Sequence, residues 1–271
     1  MKQKSSTIRA HDIEPLTALL SRERLSALIQ LTGSSECAIN LHQETLRLGA
    51  ALMHVIATVE IAIRNAVCDC LEQQFNTPQW LTQPPHSFAW KDPERKKINL
   101  AVDSAQRAEY SKLSQSKKAA LEVLAYPYGR PQNLSHLRRA QARRKFINVT
   151  HGKVVAELTL HFWKRLFGPE YEQSLWRTAL KRTFPDKRLT RAEVAIQLEH
   201  IYQSRNRLAH HEPVLHARFD DTINAIIFVT QRLGSRLPDQ STPLATLLDS
   251  DIKHAIAMAD ELHATLRSYR A

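Results

Sequence analysis

Between about Ala38 and Gln73, apolar residues return every three or four positions and no proline interrupts them. Leu48, Leu52, Val55, Ile56, Val59, Ile63, Val67 and Leu71 fill one side. That period belongs to an α-helix. A straight helix of this length runs roughly 50 Å, so it needs long partners to cover its apolar side. No stretch alternates apolar and polar residues convincingly, as a half-buried strand would. The remaining apolar stretches repeat the helical spacing. The chain is therefore expected to be all-α, in one domain over 1–271.

The order of elements follows from caps and breakers. Residues 1–12 read as a flexible basic tail, Ile13–Leu20 as a short helix, and Ser21 as the cap of a second. Thr32–Ser35 is a turn. Pro78–Pro93, rich in proline and aromatics, is expected to be a packed connector. Asp92-Pro93 signals an N-cap and first turn for a helix to about Glu109, with another over about Ser114–Leu124. Gly152–Phe167 reads as one amphipathic helix, stopped by Gly168 and Pro169. Tyr171–Phe184 follows as a helix, and Thr190 with Glu193 forms a capping box for the next. Asp220–Leu233 and Asp251–Tyr269 are the last helices, with Leu237–Pro243 a loop between them.

Composition narrows the function classes. The net charge is +11, which favours polyanionic partners. The basic residues concentrate after Tyr128: Arg138, Arg139, Arg143, Arg144 and Lys145 have few acids near them in sequence. They are the candidate contacts to a nucleic-acid backbone, which would position RNA without reading it. The three cysteines, Cys37, Cys68 and Cys70, build no disulfide framework, and a reduced, cytoplasmic setting is expected. No secretory signal opens the chain. Charges interrupt the apolar helices, so no membrane span is expected. Only six glycines are present, and none forms a phosphate-binding loop.

The residues that carry chemistry lie in Glu199–Pro213, E-H-I-Y-Q-S-R-N-R-L-A-H-H-E-P. Val194, Leu198, Ile201 and Leu208 form an apolar stripe, and Arg205 falls on it where a core helix would carry Leu or Ile. Pro213 should end the helix near His210 or His211, and a helix C-terminus favours a charged imidazolium. Asn206 and His210 share a face, whereas Arg205 and His210 lie about 140° apart. They meet at one point only if the last turn loosens or the arginine reaches around. A buried arginine needs a carboxylate or a phosphate. On the long helix, Glu60 either pairs with Arg64 four residues on or faces Arg205 across the core.

Arg205-Asn206, three residues, then His210 resembles the signature of the HEPN superfamily, and R-N-R-L-A-H-H-E-P resembles its Abi-like, abortive-infection branch. Two further blocks carry the likeness: V-E-I-A-I-R-N-A-V at Val59–Val67, and the helix Gly152–Phe167, which ends in Phe162-Trp163, two residues, then Leu166. The likeness covers about Ser21–Pro213. It implies a HEPN-type helical bundle, with extra helices inserted at about 78–150 and a C-terminal helical extension over 220–271. L-H-Q-E-T-L-R stands where the family carries an aromatic-rich stretch.

What the likeness implies is an endoribonuclease of abortive infection that needs no metal or cofactor and cuts RNA through its own 2′-hydroxyl, leaving a 2′,3′-cyclic phosphate. His210 would move protons, with His211 as the alternative. Arg205 would bind the scissile phosphate, Asn206 would orient the histidine or a phosphate oxygen, and Glu60 and Arg64 would hold Arg205 or complete the site. One motif supplies one such histidine, so a homodimer with a shared cleft is expected, along with a regulatory RNA or antitoxin partner. The competing class is an inactive RNA-binding or toxin–antitoxin regulatory module. A metal hydrolase built on His210, His211, Glu212 and His216 is disfavoured, because adjacent histidines on a helix point apart.

Overall fold

The computed structural model describes residues 8–237 and 241–270, so the expected tail and the loop after Leu237 fall partly outside the described residues. Among those residues there are only helices and turns. In order they are α1 (Ile13–Leu19), α2 (Arg22–Thr32), α3 (Ser35–Phe75), α4 (Asp92–Ser111), α5 (Gln115–Ala125) and α6 (His136–Arg144). Then come α7 (His151–Ala156), α8 (Leu160–Arg165), α9 (Arg191–Ala209), α10 (Ala217–Arg232) and α11 (Pro243–Ser268). The chain divides into two compact units: Met1–Ile63 with Phe184–Ala271, and Arg64–Thr183. The second unit contains the whole stretch 78–150.

In the first unit, α9 and α10 form a helical hairpin. Val194, Leu198 and Ile201 of α9 and Ile226 and Val229 of α10 are fully buried. Each such side chain contributes about 1.5–3 kcal/mol when taken out of water. The capping box at Thr190 and Glu193 is formed on both sides and sets the start of α9. Ser21 accepts from the Arg24 backbone N–H to start α2, and Gly33 ends that helix at φ 66°.

In the second unit an aromatic cluster forms around Trp90, whose ring lies 6.0 Å from those of Trp80 and Phe162. The Glu94 carboxylate beneath it is fully buried and accepts from the Tyr171 hydroxyl at 2.9 Å and from Arg165. A buried charge needs such partners.

Several expectations need correction. Gly152–Phe167 is two short helices, α7 and α8, with a break over 157–159. Val154, Leu158, Leu160, Phe162, Trp163 and Leu166 are all buried, a set no single helical stripe accommodates. The break lets both sides turn inward, and the Leu158 carbonyl accepts from the Trp163 indole at 3.4 Å. Tyr171–Phe184 is not a regular helix: a 3-10 turn, a π turn over Glu172–Trp176 and a second 3-10 turn replace it. Tyr171 is tied to Glu94 and to the Lys91 N–H, and the inward set Tyr171, Leu175, Trp176 and Phe184 is bulky. Packing overrides local regularity there. The basic stretch holds a capped helix, α6, that its charges concealed. In α4 Lys91 holds the N-cap position without a side-chain cap and Asp92 is already helical, and α11 begins at Pro243, eight residues before the expected start.

α3 also corrects the statement about charges. It contains a window of mean hydropathy 1.7, long and apolar enough by composition to cross a membrane. One-third of that window is buried inside the protein, Leu52, Val55, Ile56 and Val59 of α3 being fully buried, and core helices of folded domains pass the same test.

Candidate functional site

The register of α9 decides where its chemistry points. Its buried positions are Val194, Leu198, Ile201, Ser204 and Leu208. Ser204, not Arg205, therefore holds the inward place in the fourth turn, which corrects the expected stripe. The Ser204 hydroxyl lies 2.6 Å from that of Thr222 on α10, so the polar group is satisfied inside the core. Arg205 sits at the edge of the stripe with its side chain one-third exposed. Its Nε lies 3.9 Å from Glu60 Oε2 on α3, and the Glu60 side chain is 20% exposed. At that distance the two charges attract without a direct hydrogen bond. Gly49 permits the crossing of α3 and α9: a Cβ there would stand 3.1 Å from a Leu208 methyl.

Beyond Leu208 the helix tightens instead of loosening. The His210 N–H is shared between the Asn206 and Arg207 carbonyls, at 3.2 and 3.0 Å. His210 is the C-cap and is exposed. Among the described residues, no hydrogen bond or ion pair joins it to Arg205. His211 takes a left-handed backbone, φ 57°, and its carbonyl accepts from Arg24 at 3.5 Å. Arg207 closes the turn: it pairs with Glu212 at 3.1 Å and donates to the Pro213 carbonyl at 3.4 Å. Asn206 is half-buried in the last turn. Against this helix end lies a mainly apolar groove of about 440 Å³, lined by Leu46, Gly49, Met53, Leu208, His211 and Pro213 among others.

Arg64 opens the second unit, where it is half-buried, and its Nε is buried without a hydrogen-bond partner. Cys68, one turn on, has its thiol pushed up to about 12 by burial.

The basic stretch is less available than its sequence implies. Arg143 and Arg144 are buried. Arg143 pairs with Glu122 and donates to the Tyr110 hydroxyl at 3.1 Å, while Arg144 pairs with Asp103 at 3.0 Å. Arg139 donates to the same Glu122 at 2.9 Å. The acids that offset these arginines come from α4 and α5, outside the stretch, so sequence proximity could not show them. Arg138 and Lys145 are exposed.

Sequence reading missed three contributors to the site: Ser204, Gly49 and Arg207. Serine and glycine read as surface or loop residues, and only the crossing with α3 and α10 makes them specific. Comparison with family models, curated proteins and solved structures finds no match to this chain.

Proposed function

We propose that this protein is a metal-independent, HEPN-type endoribonuclease of abortive infection, acting in anti-phage defence. The observation that carries the reading is the end of α9: a half-buried Arg205 held loosely by Glu60, five residues before an exposed His210. A guanidinium whose ion pair with Glu60 is 3.9 Å long can turn its fork to a phosphate, which it binds through two parallel N–H bonds. His210 is reachable by a substrate hydroxyl and serves as the proton carrier. Arg205 binds the scissile phosphate and the charge that builds on it in the transition state, and Glu60 positions Arg205. Asn206 orients the histidine or a phosphate oxygen. His211 is the weaker candidate, because its backbone forms the turn and its ring lines the groove.

Arg205 and His210 stand five residues apart, about 140° around an ideal helix, so the reading includes a homodimer in which one copy's arginine works with the other copy's histidine. Of the basic stretch, it retains Arg138 and Lys145 as phosphate contacts. The deciding experiment is RNA cleavage in excess EDTA by the wild type, Arg205→Ala and His210→Ala, with the product ends identified. Cyclic phosphate ends from the wild type alone support the reading, and cleavage that requires a metal overturns it.

A further inference from the structure

Inside the unit Arg64–Thr183, a cavity of about 540 Å³ opens between the connector after α3, the side of α4 and the segment entering α7. Val102, Ile147, Val154 and His151 are among the residues that line it. Side-chain amides surround it: Gln79, Gln83, Gln106 and Asn148. Among the described residues, Lys145 is the one lysine or arginine in the lining, and no carboxylate lines it.

Beside the cavity, two buried side chains lack hydrogen-bond partners. Both ring nitrogens of His151 are buried and have no hydrogen-bond partner, and burial holds its pKa below the ordinary histidine value. The Trp80 ring packs against it at 5.2 Å, and that buried indole N–H is also unpartnered. Buried polar groups left without partners are uncommon and costly. The walls are also fixed: the Gln106 amide donates to the Ile147 carbonyl at 3.1 Å.

We infer that this cavity binds a nucleoside monophosphate, either free or as one residue of an RNA chain. A base has a flat face for apolar lining residues such as Val102 and Ile147 and an edge of mixed donors and acceptors. Glutamine and asparagine side chains present both kinds of group and pair with such edges. Lys145 takes the phosphate. The volume falls in the range of small-molecule sites. The inference shares Lys145 with the cleavage reading but none of the residues of α9, so loss of cleavage in the α9 variants and loss of nucleotide binding are read separately.

Titration calorimetry of the full chain with AMP, GMP, CMP and UMP tests it. At least one nucleotide is expected to saturate a single site per chain, with its nucleoside about tenfold weaker, since a charge-assisted contact is lost. Lys145→Ala should weaken the nucleotide about tenfold and Asn148→Ala roughly fivefold. Both side chains are exposed, so thermal melting should stay unchanged. A short oligoribonucleotide, titrated into the Arg205→Ala/His210→Ala double variant to prevent cutting, separates the two sources. Tighter, Asn148-dependent binding assigns the site to RNA, whereas binding no tighter than the mononucleotide assigns it to free nucleotide. The inference is overturned if no nucleotide saturates, if a sugar phosphate binds equally well, or if neither variant changes the affinity.

Discussion

Two sets of arginines in this chain look alike in sequence and differ in structure. On α6, Arg143 and Arg144 are buried, with side chains only 10% and 5% exposed and carboxylates in contact. On α9, Arg205 is one-third exposed, and its carboxylate stands 3.9 Å away. The first arrangement holds helices together; the second leaves a cation ready for another anion. Charge density along the sequence points to the first set, and the helix-end geometry points to the second. The lesson is that an arginine's partner, and not its neighbours in sequence, decides what it can do.

The largest test of this contrast is catalytic. Arg205→Ala and His210→Ala should each lower cleavage by at least about 100-fold. Neither should cost more than about 1 kcal/mol of stability, since Arg205 makes only a loose, partly exposed pair. Mixing the two variants sharpens the result. If one copy's arginine serves the other's histidine, mixed dimers recover one working site and part of the activity. No recovery after subunit exchange removes the composite site.

Stability is the next effect in size. Arg143→Ala should cost about 1–2 kcal/mol in denaturant unfolding, because it removes a buried side chain and its charge-assisted bond, while Arg139 and Arg130 still hold Glu122. Arg144→Ala should cost less, since Asp103 is 45% exposed and water replaces the lost pair. Cleavage per folded molecule should not change in either variant. A fall in specific activity without a fall in stability would place α6 in the RNA site and break the contrast.

How much of this was legible beforehand follows from the same physics. The all-helical class and the course of α3 follow from a period sustained over many turns, and the start of α9 from its capping box. The juxtaposition of Glu60 and Arg205 was one of two readings of the same residues. The register of α9 was not readable, because Ser204 is small and polar yet faces inward to Thr222, while Arg205 mimics a heptad position. The break between α7 and α8 was hidden because apolar residues there serve two sides of a core. The counter-charges on α6 were hidden because Asp103 and Glu122 lie 41 and 17 residues away from Arg144 and Arg139.

A smaller effect concerns the exposed members of the basic stretch. Arg138→Ala should weaken RNA binding almost equally for all sequences and lower the salt slope of log K by about 0.7, the value for one phosphate contact on a single strand. Arg143→Ala should leave the slope unchanged. Equal slopes for all three proteins would remove the stretch from the RNA interface.

The smallest expected effect carries the contrast from arginine to histidine. His210 is exposed at its helix end, whereas His263 of α11 accepts the His216 backbone N–H at 3.0 Å and its ring stacks on that of His216 at 4.6 Å. Burial is the first cause holding the His263 pKa below the ordinary value. The nearby His216 and Arg267 act in the same direction, and Asp220 and Asp260 oppose them. The sign follows from proton counting. Below the unfolded value near 6.5, the unfolded chain binds a proton that the folded chain refuses. The contribution is therefore present above that value and is lost as pH falls towards the depressed folded value. His216 sits at φ 53° just past the α9 turn, so the opening should be felt first by the segment that follows Pro213. His263→Gln keeps an acceptor for the N–H but does not titrate, and it should flatten this part of the acid slope in urea unfolding. An unchanged slope would mean that other groups carry it, and that the stacked pair is a passive contact.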